Sequence, residues 1–207
     1  MNAEKIIVLA TRNKGKIAEL SSLLTGFGLE VRGLSDFPEI EDIEETGETF
    51  AENALIKAKA VSETLGLVAV ADDSGLEVDA LGGAPGVHSA RYSGEGATDA
   101  KNNARLLEEM RGVPEKERTA RFRCVMVAFA PGGESIMAQG AWEGRIALEP
   151  VGEEGFGYDP LFFDQDLGMT AAQMTREMKN ARSHRGKALR DLLADWPKFW
   201  SRATLEK

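Results

Sequence analysis

Lys5-Ile6-Ile7-Val8-Leu9-Ala10 runs directly into Thr11-Arg12-Asn13-Lys14-Gly15-Lys16, and the change of character at Thr11 sets the architecture. The apolar, β-branched half reads as a buried strand. The polar half follows it and opens a helix over 14–24, with Ile17, Leu20, Leu23 and Leu24 at helical spacing. Gly26 and Gly28 punctuate its end, and Leu29–Gly33 reads as a second strand. A strand feeding a helix in this way predicts an α/β protein.

The same alternation continues. After an acidic loop at Glu39–Glu45, Thr49 caps an amphipathic helix with Glu52 at the capping-box position. Its apolar stripe is Phe50, Ala54, Leu55, Ala58, Val61 and Leu65, and Gly66 closes it. Leu67–Ala71 is a third buried strand, which the reading ends at Asp72-Asp73-Ser74-Gly75. Residues Asp72 to Tyr92 carry too many turn formers to be regular throughout. Asp99–Met110 reads as helix. Ala120–Ala130 and Ser135–Ile146 are strand-like and joined by the turn Pro131-Gly132-Gly133. The C-terminal third returns to helix, with a break around Ser183–Gly186. These elements predict a mixed β-sheet flanked by helices.

The chain of 207 residues can bury a sizeable core, and 43% hydrophobic with 29% charged residues suits a globular enzyme. Its longest apolar run, Cys124 to Ala130, is too short to span a bilayer. The single cysteine cannot form an internal disulfide, and Ile6–Ala10 lacks a signal peptide's length, so a cytoplasmic protein is expected. The net charge of −9, from 34 acidic and 25 basic residues, disfavours a nucleic-acid partner. A small anion remains possible where basic groups gather.

Several segments suit such an anion. Thr11–Lys16 offers backbone N–H groups at a helix start, hydrogen-bonding side chains and a lysine for outer phosphates, although it is not a Walker A loop. A capped helix start with solvated lysines fits the same residues. Glu44, Glu45, Asp72 and Asp73 offer carboxylates to Mg²⁺, which needs one or two beside substrate phosphates. Successive strand residues face opposite ways, so Asp72 and Asp73 should differ in role. Asn53 and Lys57 lie one helical turn apart, able to face a common site or to form an exposed flank. Gly155-Phe156-Gly157-Tyr158-Asp159-Pro160 is a glycine-flexed loop that can lay a ring on a flat base, or simply pack as a turn. Ser183-His184-Arg185-Gly186, with Lys179 one turn earlier, gathers donors. His88 reads as structural, and Cys124, Met126, Phe129 and Trp142 read as packing. No Cys/His spacing suggests zinc.

Taken together and in order, these segments resemble the inosine triphosphate pyrophosphatase family, also called non-canonical purine (dITP/XTP) pyrophosphatases. The resemblance runs from about Lys5 to Leu193. It rests on Thr11–Lys16, Glu44-Glu45-Thr46-Gly47 with Thr49-Phe50 and Glu52-Asn53-Ala54, and Ala71–Leu76. Gly82–Gly86 with Ser89–Tyr92, Phe156–Pro160 and Ser183–Gly186 complete it. The sequence departs from the family pattern at His88, where tyrosine is common, and at Met178, where an acidic residue often stands.

The resemblance implies an elongated two-lobed α/β fold, 1–207 as a single domain without a linker, with an active-site cleft between lobes. It also implies a homodimer, Mg²⁺ dependence, and cleavage of ITP, dITP or XTP to the monophosphate and pyrophosphate. By the same analogy Thr11, Arg12, Asn13, Lys14, Gly15 and Lys16 cradle the triphosphate, helped by Lys57. Asp73 is general base and, with Glu44, metal ligand, while Ser74 contacts substrate. Phe156, Gly157, Tyr158, Asp159, Lys179, His184 and Arg185 hold the base and the nearby sugar or phosphate.

Overall fold

The structure, a computed structural model, describes residues 6–13, 16, 17, 21, 24 and 27–205. Its centre is a mixed sheet of seven strands in the order β2-β1-β3-β4-β5-β6-β7. The strands are β1 (Ile6–Leu9), β2 (Glu30–Gly33), β3 (Val68–Val78), β4 (Thr119–Phe129), β5 (Ser135–Ile146), β6 (Phe162–Asp164) and β7 (Met169–Thr170). Helices α1 (Phe50–Leu65), α2 (Asp99–Glu109), α3 (Arg176–Arg182) and α4 (His184–Leu205) accompany it. β1 pairs in parallel with β2 and β3, in the registers Leu9 to Gly33 and Leu9 to Val70. β5, β6 and β7 pair antiparallel. The α/β expectation therefore holds, and parallel and antiparallel halves share one sheet.

The chain divides into two compact units. The first comprises Met1–Asp73, Val125–Gln139 and Ala188–Lys207; the second comprises Ser74–Cys124 and Gly140–Lys187. In the first, Val8, Ala69, Val61, Leu34 and Ile40 form a buried cluster that joins β1 and β3 to α1. In the second, Phe122, Trp142, Phe162, Leu106 and Tyr158 belong to a larger cluster, with the Phe122 and Phe162 rings 4.5 Å apart.

α1 forms as its sequence dictates. Thr49 accepts from the Glu52 N–H at 3.1 Å, Glu52 accepts from the Thr49 N–H at 3.1 Å, and Gly66 ends the helix at φ +64°. Phe50, Ala54, Ala58 and Val61 are buried as the stripe requires. Leu55 is not, because the buried face swings toward Asn53 and Ser62 instead. Of the helix expected over 14–24, Lys16, Ile17, Ser21 and Leu24 are described and are helical; Leu20 and Leu23 lie outside the described residues.

The structure corrects two boundaries. β3 does not stop before Asp72 but runs on to Val78, so both aspartates are mid-strand. Beyond Val78 the segment to Tyr92 is not regular throughout, as its turn formers predict, with short 3-10 turns at Asp79–Leu81 and Gly86–Arg91. The C-terminal third also contains β6 and β7, too short to show a period. The turn between β4 and β5 is as expected, closed by the Ala130 N–H to Glu134 O bond at 2.9 Å. Cys124, Met126, Phe129 and Trp142 are buried, whereas His88 is exposed rather than packed. Among the described residues, no helix is long and apolar enough to cross a membrane.

Candidate functional site

Two polar clusters emerge, one in each unit. The first gathers at the end of β1, the middle of β3 and the inner face of α1. Beyond β1, the Thr11 Oγ1 accepts from the Asn13 N–H at 3.2 Å, and the Asn13 Oδ1 accepts from the Lys16 N–H at 3.3 Å. Asn13 is therefore a helix cap. Arg12 donates to the carbonyls of Leu34 at 3.3 Å and Ile40 at 2.8 Å, and lies 3.6 Å from Asp42. Its guanidinium fastens the segment after β2 to the loop. Lys16 places Nζ on both oxygens of Asp72, at 2.9 and 2.7 Å.

The alternation of β3 separates its two aspartates. Asp72 meets Lys16. Asp73 meets α1: the Asn53 Nδ2 donates to its Oδ2 at 3.1 Å, and the Lys57 Nζ lies 3.7 Å from its Oδ1. Lys57 also donates to Glu45 at 2.6 Å and to the Asp72 carbonyl at 2.8 Å. Asn53 is fully buried, and its Oδ1 accepts from the Gly47 N–H at 2.8 Å. Only glycine permits that approach, since a Cβ on Gly47 would stand 2.7 Å from the same oxygen. One amide thus ties the Glu44-Glu45 loop to Asp73. Carboxylates this buried need partners, and each has one.

The second cluster is built on the 155–159 loop. Asp159, 2% exposed, accepts from the Phe156 N–H at 2.8 Å and pairs with Lys179 of α3. Gly155 makes room for this, because a Cβ there would lie 2.1 Å from the Asp159 Oδ2. The Lys179 Nζ also sits 4.9 Å from the centroid of the Phe156 ring, a cation–π contact. Phe156 is 63% exposed, whereas Tyr158 packs into the core with its hydroxyl donating to the Ser89 carbonyl at 2.8 Å. Burial pushes the Tyr158 phenol well up and keeps it a neutral donor. Any ligand contact from Tyr158 would come from its backbone. After α3, Ser183 accepts from the Gly186 N–H at 3.0 Å and starts α4. His184 is buried and stacks on Phe122, with centroids 4.9 Å apart and planes 15° apart. Arg185 is half-buried beside it.

Within the first unit Lys57 lies beside Asp73, and Lys16 lies on the neighbouring Asp72. Lys14 and Gly15 lie outside the described residues. Ser74 is half-buried within β3, and Glu44 is exposed. The residue that reaches Lys57 is its neighbour Glu45. Asn53 faces Asp73 as its spacing from Lys57 allows, while its tie to the Gly47 N–H has no signal in the sequence.

A divalent cation is tested by the donor set. Among the described residues no group of three or more His, Cys, Asp or Glu could hold a metal by itself. The first cluster instead offers the two carboxylates that share Lys57, those of Glu45 and Asp73. Such a set fits a hard cation that takes one or two carboxylates and completes its shell with water and substrate oxygens, as Mg²⁺ does.

The chain is 63% identical to the dITP/XTP pyrophosphatase of Nitratidesulfovibrio vulgaris, over 94% of this chain and 97% of that one. It is 53% identical to the dITP/XTP pyrophosphatase of Escherichia coli K12, over 90% and 95%. The structure of the Staphylococcus aureus Ham1 protein superposes with a TM-score of 0.88 at 41% identity, covering 94% of this chain and 99% of that one. The Ham1 family pattern matches residues 7–195. With a family pattern over most of its length, relatives of this identity and a shared fold, the chain belongs to the Ham1 family.

Proposed function

We propose that the protein hydrolyses non-canonical purine nucleoside triphosphates (ITP, dITP and XTP) to the monophosphate and pyrophosphate, removing them from the nucleotide pool. The observation that carries this reading is Asp73, held by Asn53 through one oxygen and facing Lys57 with the other. A carboxylate so fixed can orient a water and receive its proton. The names of the relatives, dITP/XTP pyrophosphatases, support the substrate class.

In this mechanism Asp73 orients a water and takes its proton as the oxygen bonds to the α-phosphorus. The bond from that phosphorus to the bridging oxygen breaks, and pyrophosphate leaves. Lys16 and Lys57 exchange their carboxylate partners for phosphate oxygens, so the ion pairs at β3 keep both ammoniums in place before substrate arrives. Bound Mg²⁺ would be held by Asp73 and Glu44, with Glu45 freed from Lys57, and supplies Lewis-acid neutralisation of phosphate charge. Thr11, Asn13 and the backbone of 11–16 contribute donors to the triphosphate, and Ser74 contacts substrate.

The second cluster reads the base. The exposed Phe156 ring offers a stacking face, and Lys179, His184 and Arg185 supply donors. A 6-oxopurine presents an acceptor at O6 that Arg185 or a backbone N–H can meet; adenine presents a donor there. Hydrogen-bonding sites of this kind reject the wrong group by about 10⁴-fold. The working form is a cytoplasmic homodimer. Pyrophosphate release from ITP, XTP, GTP and ATP, with Mg²⁺ and with chelator, tests the reading. Metal-dependent turnover of ITP and XTP but not ATP is expected. Equal turnover of ATP would end the base-selection argument, and release from no nucleotide would end the enzymatic one.

A further inference from the structure

The 155–159 loop is held from a direction that no part of the proposed chemistry uses. At the start of α2, Asp99 accepts from the Gly157 N–H at 2.7 Å, and one turn later the Asn103 Nδ2 donates to the Gly157 carbonyl at 2.9 Å. The spacing of four places both side chains on one face of the helix. Both polar groups of a single glycine are thereby gripped, at φ +61°, from residues more than fifty positions away in sequence. The flanking residues are fixed independently. The Phe156 N–H goes to Asp159, and the Tyr158 hydroxyl goes to the Ser89 carbonyl. Phe156 stands amid these anchors with its ring 63% exposed.

An exposed phenyl ring on a freely moving loop would collapse onto nearby apolar surface, and ordering it at binding would weaken a ligand's hold. Gripping the neighbouring peptide removes that cost in advance. We infer that Asp99 and Asn103 are positioning residues that hold Phe156 as a preformed stacking face for the purine ring. The inference rests on the base-reading role proposed for this loop. It adds α2 as the element that sets how tightly a base is held, while leaving phosphate binding untouched.

The test separates base from phosphate. In Asp99→Ala with Asn103→Ala, amide hydrogen exchange at 155–159 should speed up by about tenfold or more, with protection in β3 and β4 unchanged. KM for ITP should rise about tenfold with kcat within about threefold of wild type, while the inhibition constant of inorganic tripolyphosphate stays within about twofold. Asp99→Asn loses the charge at the helix start but keeps an oxygen for the Gly157 N–H, so it should behave as wild type. Unchanged exchange at the loop would overturn the inference, as would tripolyphosphate weakening in step with ITP, or Asp99→Asn matching the alanine variant. A wild-type enzyme silent toward ITP would instead sink the pyrophosphatase reading, and the exchange measurement would still decide whether α2 holds the loop.

Discussion

The two polar clusters solve the same problem, keeping reactive surface ordered before a ligand arrives, by opposite means. The first stores charge against charge: Lys16 on Asp72, Lys57 on Glu45 and Asp73, all at least half-buried. On the proposed function these partners exchange, a triphosphate taking the lysines while a cation takes the carboxylates. The second fixes a backbone. The peptides of Phe156 and Gly157 are bonded to side chains, and what remains exposed is a neutral ring. Charge exchange suits a ligand whose phosphates vary little, since Coulombic attraction tolerates displacement. Discriminating one purine from another needs fixed geometry, which exchangeable ion pairs do not supply.

The sharpest way to break the first cluster is at Asp73, the proton acceptor proposed for it. Asp73→Asn keeps the shape of the side chain and removes the base, so kcat should fall by about 10³-fold while KM stays within a few-fold. Stopped assays of pyrophosphate release at saturating ITP measure it. Full turnover by that variant would remove Asp73 from the chemistry and leave the cluster as an ion-pair store. Asn53→Ala tests the support beneath the base. It strands the Gly47 N–H and one oxygen of Asp73, at about 1–3 kcal/mol of stability. A loss in kcat of about tenfold should accompany the lower Tm. A lower Tm with kcat unchanged would make Asn53 purely structural.

The same contrast explains what could be read from sequence. The first cluster is local to recognisable signals: a strand running into Thr11–Lys16, and a capping box that puts Asn53 and Lys57 one turn apart. Charged side chains in such positions announce themselves. Even so, β3 was cut short, because Asp72-Asp73 followed by Ser74-Gly75 looks like a strand end, and only tertiary pairing makes buried aspartates tolerable in mid-strand. The choice between Glu44 and Glu45 was invisible for a related reason, since a loop without a period gives no facing. The second cluster was legible as a loop but not as a held one. Asp99 and Asn103 read as ordinary helix polar residues, and their link to Gly157 joins segments that only the sheet's path brings together. β6 and β7, which follow that loop, fell below the length at which alternation can be seen.

One charged anchor inside the second unit tests how far the contrast extends. Asp164 of β6, 1% exposed, accepts from the Trp142 Nε1 at 2.8 Å, from Arg182 of α3 at 2.7 Å, and from the N–H groups of Asp166 and Leu167. Arg182 is one turn beyond Lys179, so this carboxylate fastens the helix that presents Lys179 to Asp159. Burial pushes the Asp164 carboxyl up, but the bonds from Trp142, Leu167 and Arg182 outweigh it and hold it below the ordinary range. A folded-state value below the unfolded one stabilises the protein fully above the unfolded pKa, and that contribution is lost as pH falls through the folded value. Asp164→Asn should therefore cost about 1.5–3 kcal/mol near neutral pH. For a chain of this size that lowers Tm by about 2–4 °C per kcal/mol. The gap from wild type should begin to narrow near about pH 4, where the unfolded-state carboxyl protonates, and close as pH falls further through the lower native value. Thermal melts of both proteins from neutral to acid pH measure the gap. A gap constant across that range would mean that Asp164 holds α3 by shape and neutral hydrogen bonds alone, leaving the Asp159–Lys179 pair as the charged tie between that helix and the loop.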